Sequence, residues 1–305
     1  MQKFRKLVSI DKVALTEKGI HALQDVAESI VLAQDLPSDE DDILQRIGDA
    51  DAVLLSANSR LTGRVMAQAP KLRYVGMCCS LYSEESANVD IPYARAHGIE
   101  VRGIRDYGDH GVVEYLIYQL VKLLHGYEGR RWKALPTEIT GLKVGFVGLG
   151  TSGGMTADAL HFLGADISYF ARAEKPERTA QGYHFKELRK LLAESEVIIT
   201  ALNKNVILLH EEEFAALGSG KIMFNTSIGP AADMEPLQKW MKNPENIFCC
   251  DTRGALGDIA DEVLSYPNVY CMNASAGMTE QAYELLSQKV LHNMKDYLEQ
   301  KEGEQ

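Results

Sequence analysis

The feature that most constrains this chain is a glycine-rich loop between an apolar run and a helical stretch. The run Val144–Val147 is apolar apart from one glycine, as in a parallel strand covered on both faces. Gly148-Leu-Gly150-Thr-Ser-Gly153 follows it directly and opens the helical stretch 154–163. In this setting the first glycine permits a tight turn, the second admits a pyrophosphate, and the third lets helix and strand pack closely. The pattern predicts a Rossmann domain that binds a dinucleotide at a helix start.

Similar apolar and β-branched runs recur on both sides of this loop. Five apolar runs follow the loop in the sequence, and together with Val144–Val147 they predict a doubly wound parallel sheet of six strands. They are Ile167–Phe170, Val197–Thr200, Ile222–Asn225, Ile247–Cys250 and Val269–Met272. Those that precede it alternate with amphipathic helical stretches and predict a smaller parallel-sheet domain. They are Lys6–Ile10, Ser29–Ala33, Ala52–Ser56, Leu72–Met77 and Glu100–Val101.

A length of 305 residues favours two domains. The chain enters the second domain through a helical pattern that begins near residue 111. Its final helix, about 280–300, is long enough to return to the first domain. We therefore predict a substrate domain made of residues 1–110 and 285–305, and a Rossmann domain of residues 111–284.

Charge and composition exclude several classes of partner. The net charge is −11 and no basic block interrupts it, so a nucleic acid is not expected as a partner. The apolar stretch 112–124 contains Glu114 and Lys122, and no charged-then-apolar leader opens the chain. We expect a cytoplasmic protein without a membrane segment. The five cysteines show no zinc-ligand spacing, which predicts reduced, mostly buried thiols and no metal site, with a redox-active or nucleophilic cysteine as the alternative.

The segment after the second Rossmann strand indicates which nicotinamide cofactor is bound. In NAD-binding domains an acidic residue about 20 positions past the glycines binds the ribose hydroxyls. Here that place is held by Ala171 and Arg172. Arg172 can pair with a 2′-phosphate, helped by Lys175 or Arg178, which favours NADP(H). NAD stays the alternative, because two acidic residues lie nearby: Asp166 and Glu174.

At this point the chain resembles the D-isomer-specific 2-hydroxyacid dehydrogenase family over nearly its whole length. The segments that carry the resemblance are Ala69-Pro-Lys-Leu-Arg-Tyr-Val-Gly, Val89-Asp-Ile, His97-Gly-Ile, Val112-Val-Glu114, Trp132, Gly141–Gly150, Asn225-Thr-Ser and Asp251. The resemblance implies an α/β protein in which the Rossmann domain is inserted into a flavodoxin-like substrate domain. It also implies a small-molecule substrate and a homodimer. With the glycine loop, it predicts this cofactor-binding set: Gly148, Gly150, Thr151, Ser152, Gly153, Arg172, Leu202, Asn203, Thr226, Asp251 and Gly277.

The chain departs from the family at the residues that perform its chemistry. The family holds the carboxylate of a 2-oxoacid with an arginine, and Ile228 stands in that place. Ala274 stands where the family has its proton-donating histidine, and Asp258 is out of register with the glutamate that tunes it. The family's proline is absent from the segment 201–205. Because a general acid contributes about 10²–10⁴ in rate, reduction of ordinary 2-oxoacids by the family mechanism is not expected.

Other residues offer replacement chemistry. His110, at the start of the interdomain helix, is a candidate proton donor, although it is equally explained as a hydrogen-bonded residue at a helix start. Tyr107 is an alternative hydroxyl donor, as is Tyr82, and loop tyrosines are also common packing residues. Arg253 could hold an anionic substrate or be an ordinary exposed arginine.

Two further segments bear on the site. The loop 80–88 is longer than its counterpart in the family and could reshape the substrate pocket. The run Glu211–Glu213 lies at a predicted helix start, where carboxylates suit the helix dipole and need no metal. We interpret that run as a solvated cap.

Two hypotheses of function follow. The first is an NADP(H)-dependent oxidoreductase that transfers hydride to a carbonyl or imine compound without the family's arginine and histidine. The second is a catalytically inactive NADP(H)-binding regulatory or scaffold protein that senses the cofactor. The glycine loop supports both hypotheses, and the lost catalytic groups motivate the second.

Overall fold

The computed structural model describes residues 2–203 and 206–303, and its first part alternates strands with short helices. The elements in chain order are β1 (Phe4–Ser9), α1 (Glu17–Ala22), β2 (Ala27–Leu32), α2 (Glu40–Ile47), β3 (Ala52–Leu55), α3 (Gly63–Ala67), β4 (Tyr74–Ser80), α4 (Ile91–Ala96) and β5 (Glu100–Ile104). Side-chain oxygens accept backbone N–H bonds at the start of all four helices. The capping residues are Thr16, Asp39, Thr62 and Asp90.

The longer second part repeats this alternation and ends in a helix that returns to the first. Its elements are α5 (Asp109–His125), β6 (Lys143–Val147), α6 (Thr151–Phe162), β7 (Asp166–Phe170), α7 (Pro176–Ala180), β8 (His184–Phe185), α8 (Leu188–Glu194), β9 (Val197–Thr200), α9 (Glu211–Leu217), β10 (Ile222–Asn225), α10 (Met234–Met241), β11 (Ile247–Cys250), α11 (Ala260–Val263), β12 (Val269–Cys271) and α12 (Glu280–Gly303). A 3-10 segment, Arg253–Ile259, follows β11.

In the described part of the chain these strands form two wholly parallel sheets. The first has the order β2-β1-β3-β4-β5, and the second has the order β12-β11-β10-β9-β6-β7-β8. The first is the flavodoxin-like order and the second contains the Rossmann order, so the predicted α/β architecture is confirmed. The contacts divide the chain into two compact units. One holds the described residues up to Tyr107 and from Thr279 onward, and the other runs from Gly108 to Met278.

The five-stranded sheet is closed on one face by the final helix. Leu286, Val290 and Met294 of α12 are buried with Leu7 and Leu54 of the sheet. The ring of Tyr297 stacks on Phe4 with centroids 5.7 Å apart. Burial of this apolar face explains why the end of the chain belongs to the first unit.

The seven-stranded sheet corrects one expectation. The predicted six strands are all present, but a further strand, β8, pairs with β7 at the edge of the sheet. It has two residues, His184 and Phe185, and a run this short carries no alternation that a pattern could reveal. β6, which precedes the glycine loop, lies in the interior of the sheet between β7 and β9.

Candidate functional site

The glycine loop leaves the sheet where the strand connections change direction. β7 and β9 flank β6, so the loop opens at the topological switch point, where doubly wound sheets bind ligands. Gly148 has φ +91°, and a Cβ there would lie 2.6 Å from the carbonyl oxygen of Ala201. Its N–H donates to the carbonyl of Phe170 at 3.0 Å. Only glycine fits this turn, because the backbone of the next loop touches it.

The start of α6 is kept clear of side chains. Gly150 is the N-cap residue and gives no side-chain cap, and a Cβ on it would meet no atom within 4 Å. A Cβ on Gly153 would lie 3.0 Å from the Cβ of Ala201, so this glycine brings helix and strand together. The first-turn N–H groups, including those of Thr151 and Ser152, have no carbonyl partner within the helix. The residues fit an anionic phosphate group here.

The two cations expected to help Arg172 bind other partners in the structure. Arg172 is exposed, and no hydrogen bond or ion pair is formed by its side chain among the described residues. Lys175 instead donates through Nζ to the carbonyl of Leu149 at 2.6 Å. Arg178 pairs with Asp158 at 2.5 Å. These bonds attach Lys175 to the glycine loop and Arg178 to α6, and the expected assistance of either cation to Arg172 stays a prediction.

The ends of β9 and β10 are joined by short hydrogen bonds. The N–H of Leu202 donates to Ser227 Oγ at 2.9 Å, and the N–H of Thr226 donates to the carbonyl of Thr200 at 3.3 Å. Asn203 is exposed. These bonds place the predicted cofactor residues Leu202 and Thr226 on neighbouring loops. Residues 204 and 205, which complete the segment without the family proline, lie outside the described residues.

Asp251 fixes the loop that follows β12. Its carboxylate is buried and accepts the N–H of Ala276 at 3.0 Å, and its carbonyl accepts the N–H of Ala274 at 3.0 Å. Burial raises the pKa of Asp251 above its usual range, opposed by backbone hydrogen bonds. At the end of this loop Gly277 approaches the backbone of Gly108, where a Cβ on Gly108 would lie 2.6 Å from the carbonyl oxygen of Gly277.

The three predicted catalytic residues are not joined by any hydrogen bond among the described residues. His110 is exposed in the first turn of α5. Tyr107 packs against the core of the five-stranded sheet, and burial raises the pKa of its hydroxyl. The guanidinium of Arg253 is bound to Asp261. Tyr107 belongs to the first unit, whereas His110 and Arg253 belong to the second.

The residues at which the sequence departs from the family pattern are exposed to solvent. Ile228 is 58% exposed. Ala274 and Asp258 are also exposed, and Asp258 forms no ion pair with another described residue. None of these three side chains carries a positive charge for a substrate carboxylate or donates a proton as a histidine does. The interpretation that the family's arginine and histidine are missing rests on the sequence and stays a prediction.

One expectation about a helix start is wrong. Glu211–Glu213 does open α9, but Glu213 is buried rather than solvated. Its carboxylate accepts the backbone N–H of His210 at 3.2 Å and an N–H of Arg189 at 2.9 Å. These bonds hold the pKa of Glu213 below its usual value against the effect of burial. The cap is thus an ion pair partly removed from solvent.

Sequence reasoning missed a buried polar cluster at the end of β1. Asp11 is fully buried and accepts the N–H of Ser56 at 2.8 Å and its hydroxyl at 2.7 Å. Asn88, at the end of the loop 80–88, donates to the carbonyl of Ser56 at 2.7 Å and to that of Ser59. The side chain of Cys79 contacts Asn88 Oδ1 at 3.7 Å. The signal was weak, because Asp11 and Ser56 are ordinary loop residues in the sequence.

Two structural findings concern sites of other kinds. Among residues 2–203 and 206–303, no group of three acidic, histidine or cysteine side chains is arranged to hold a metal ion. No helix in the same residues has the length and apolar composition needed to cross a bilayer.

Comparisons with known proteins agree with this architecture. The sequence matches the family model described as D-isomer specific 2-hydroxyacid dehydrogenase, catalytic domain, over residues 8–305. The hydroxypyruvate reductase of Blautia hydrogenotrophica is 27% identical over 252 residues, covering 74% of this chain and 75% of that protein. The apo structure of Escherichia coli D-lactate dehydrogenase has a TM-score of 0.77 at 21% identity, covering 96% of this chain and 97% of that one. An acyclic imino acid reductase in complex with NADPH and D-Arg has a TM-score of 0.81 at 20% identity, covering 97% of both chains.

Proposed function

The chain belongs to the D-isomer-specific 2-hydroxyacid dehydrogenase family, a family of oxidoreductases, and from this premise we propose that it is an NADP(H)-dependent oxidoreductase. Its substrate is a carbonyl or imine compound that it reduces without the family's arginine and histidine. The observation that carries the proposal is the open start of α6, where Gly150 leaves room for a pyrophosphate. A bound nicotinamide supplies the hydride, and the residues of the chain bind, orient and protonate.

The choice of NADP(H) over NAD(H) rests on the surroundings of Arg172. Its exposed guanidinium follows the end of β7, where a ribose 2′-phosphate would lie, and a guanidinium can bind a phosphate through two hydrogen bonds. The acidic candidates for binding a 2′-hydroxyl are less suitable. Asp166 begins β7 and so lies at the opposite end of the strand, while Glu174 accepts a hydrogen bond from Thr179 at 2.7 Å.

We assign proton donation to His110. It follows Gly108 by two residues, and the backbone of Gly108 touches Gly277 at the end of the loop that carries Ala274. The histidine is therefore near the loop where the family has its own. Tyr107 is the alternative donor, but its hydroxyl is partly buried and its pKa is raised by that burial. Arg253 is a weaker anchor for an anion, since Asp261 already neutralises it.

The competing function is an NADP(H)-binding regulatory or scaffold protein. The pairing of Arg253 with Asp261 favours it, because the described residues at that edge then offer no free arginine for a substrate. Both functions require the dinucleotide, and only the enzyme turns it over. We also propose, from the family resemblance and the sequence, a cytoplasmic homodimer with domain borders near residues 110 and 284. The mass of the purified protein in solution tests the dimer.

The proposal is tested by measuring NADPH and NADH binding calorimetrically. The wild type should bind NADPH more tightly than NADH. Arg172→Gln should weaken NADPH binding by about tenfold or more and leave NADH binding unchanged, because only NADPH carries the 2′-phosphate. Arg60→Gln, at an exposed arginine of the first unit, serves as the control and should change neither affinity.

Turnover then separates the two functions. The wild type is mixed with NADPH and a panel of 2-oxoacids, aldehydes and imines. Oxidation of NADPH with an aldehyde or imine, lost in His110→Asn without loss of NADPH binding, supports the enzyme. Binding without turnover across the panel supports the regulatory protein. Rapid reduction of simple 2-oxoacids would contradict our interpretation of Ile228 and Ala274, and failure to bind either dinucleotide would exclude both functions.

A further inference from the structure

Two cysteines lie opposite each other on neighbouring strands of the seven-stranded sheet. Cys250 ends β11 and Cys271 ends β12, and the register of these parallel strands pairs the two residues. The N–H of Met272 donates to the carbonyl of Cys250 at 3.1 Å and holds the two strand ends together. Neighbouring strands lie about 4.8 Å apart, and a disulfide joins Cα atoms that are about 4.4–6.8 Å apart. The backbone therefore already has the spacing that a disulfide requires.

The side chains of the pair also lie on the same face of the sheet. Cys250 is fully buried in a cluster with Met223, and Cys271 packs against that cluster. Cys249 and Tyr270, one residue earlier on each strand, belong to the cluster on the opposite face, as the alternation of side chains along a strand requires. Burial raises the pKa of the Cys250 thiol, and the neighbouring side chain of Cys271 adds to the rise. The two sulfur atoms therefore lie close together.

The other cysteines lack this arrangement. All five are among the described residues, and all are free. Cys249 and Cys250 are consecutive in β11, so their side chains lie on opposite faces of the sheet. Cys78 and Cys79 are likewise consecutive in β4, are buried in different clusters and belong to the other unit. Only Cys250 and Cys271, of these five, are paired in register on one face.

Solvent reaches the two thiols of the pair unequally. Cys271 is partly exposed, and Met272, which follows it, is 47% exposed. Cys250 is fully buried beneath them. A small oxidant therefore reaches Cys271 first, because the oxidation of a thiol depends on its exposure. A second thiol in contact then converts the oxidised cysteine into a disulfide before it is oxidised further.

We propose that Cys250 and Cys271 form an oxidisable dithiol, which a hydroperoxide converts into an intramolecular disulfide. The thiolate of Cys271 attacks the peroxide, the O–O bond breaks, and Cys271 becomes a sulfenic acid as water or an alcohol leaves. The thiol of Cys250 then attacks that sulfur, so that the S–S bond forms, the S–O bond breaks, and the thiol proton leaves with the hydroxide as water. The two sulfur atoms lose the two electrons that the peroxide gains. The step uses no nicotinamide, so its outcome is independent of the proposed function.

The test treats the reduced full-length protein with cumene hydroperoxide and then blocks the remaining thiols with N-ethylmaleimide in denaturant. Trypsin cleaves after Lys242, Arg253 and Lys289, which places the two cysteines of the pair on separate peptides. Mass spectrometry should find peptide 243–253 joined to peptide 254–289 in protein that runs as a single chain on a non-reducing denaturing gel. Dithiothreitol should separate the two peptides. Five blocked thiols after peroxide treatment, or a cross-link that joins two chains, would overturn the proposal.

Variants identify the sulfur atoms that react. Cys250→Ala and Cys271→Ser should each abolish the cross-linked peptide, and Cys271→Ser changes only a partly exposed side chain. Cys249→Ala is the matched control and should keep the cross-link, because Cys249 is equally buried and lies on the same tryptic peptide but on the other face of the sheet. A cross-link that persisted in Cys250→Ala, or was lost in Cys249→Ala, would contradict the assigned pair.

The order of the two steps has its own readout. In Cys250→Ala the sulfenic acid of Cys271 meets no second thiol on its face of the sheet. Dimedone, which reacts with sulfenic acids, should therefore label Cys271 in peroxide-treated Cys250→Ala and not in the wild type. Labelling of Cys250 in Cys271→Ser, without labelling of Cys271 in Cys250→Ala, would contradict Cys271 as the thiol that attacks the peroxide.

Discussion

The two sheets of this protein have the same strand arrangement around their switch points, but different residues follow the central strand at each one. In the five-stranded sheet β1 lies between β2 and β3, and in the seven-stranded sheet β6 lies between β7 and β9. Both positions are where parallel α/β sheets bind ligands. After β1 the chain places Asp11, whose buried carboxylate is satisfied by Ser56. After β6 it places Gly148 and Gly150.

The contrast indicates which sheet holds the ligand. In the five-stranded sheet the fully buried carboxylate of Asp11 occupies this switch-point position and forms two short hydrogen bonds with Ser56. Gly150 does the opposite and leaves the end of β6 open, since a Cβ on it would meet only open space. Helices α1–α4 of the first unit begin with side-chain caps, while α6 begins without one. An uncapped helix start at an open switch point favours an anionic ligand.

The largest expected effect is the loss of dinucleotide binding in Gly150→Val. A Cβ at this position meets no atom within 4 Å, so the folded structure should keep its thermal stability. It occupies the space next to the first-turn N–H groups of α6, and NADPH affinity should fall by at least about a hundredfold. Calorimetry and thermal unfolding of the same sample check both statements.

Gly254→Val provides the matched control. A Cβ at Gly254 has only Thr252 Oγ1 nearby, at 3.8 Å, so the variant adds the same side chain elsewhere in the same unit. It should bind NADPH as the wild type does. If Gly150→Val also bound NADPH normally, the open end of β6 would not be the ligand site and the contrast between the sheets would lose its meaning.

The next effect concerns stability in the five-stranded sheet. Asp11→Ala leaves the buried N–H and hydroxyl of Ser56 without an acceptor and should lower the free energy of unfolding by about 2–4 kcal/mol. Asp11→Asn keeps one acceptor and should lose roughly half as much. Denaturant unfolding measures both variants. Loss of NADPH binding without loss of stability would show that Asp11 serves a ligand, and that both switch points are sites.

Most of the fold could be predicted because its strands and its glycine loop are each encoded by a short continuous segment of sequence. The six predicted Rossmann strands and the glycine loop are continuous segments whose apolar character or glycine spacing is visible in a few neighbouring residues. β8 was missed because its two residues depend on pairing with β7. The sequence therefore predicted the layers and the place of the dinucleotide loop better than the edge of the sheet.

The site was harder to predict because its side chains bind residues that are distant in the sequence. Lys175 binds the carbonyl of Leu149, 26 residues away, and Arg178 binds Asp158, 20 residues away, and neither partner is visible in the local sequence pattern. Asp11 and Ser56 are 45 residues apart. A tertiary contact of this kind leaves no periodicity in the sequence.

The smallest effect tests the buried carboxylate of the seven-stranded sheet, Asp251, which fastens the loop after β12. Burial raises its pKa, so the folded protein holds this proton more tightly than the unfolded chain. The stability that the group contributes is fully present below its unfolded pKa, about 3.9, and is lost as pH rises through the folded value.

Asp251→Asn stays neutral and can still accept the N–H of Ala276. The melting temperature of this variant relative to the wild type should therefore rise from pH 4 to pH 7, measured without cofactor. A relative melting temperature that falls over this range would mean that the charged carboxylate stabilises the loop. Asp251 would then resemble Asp11 in serving the fold through its hydrogen bonds, and the two sheets would differ only in their glycines.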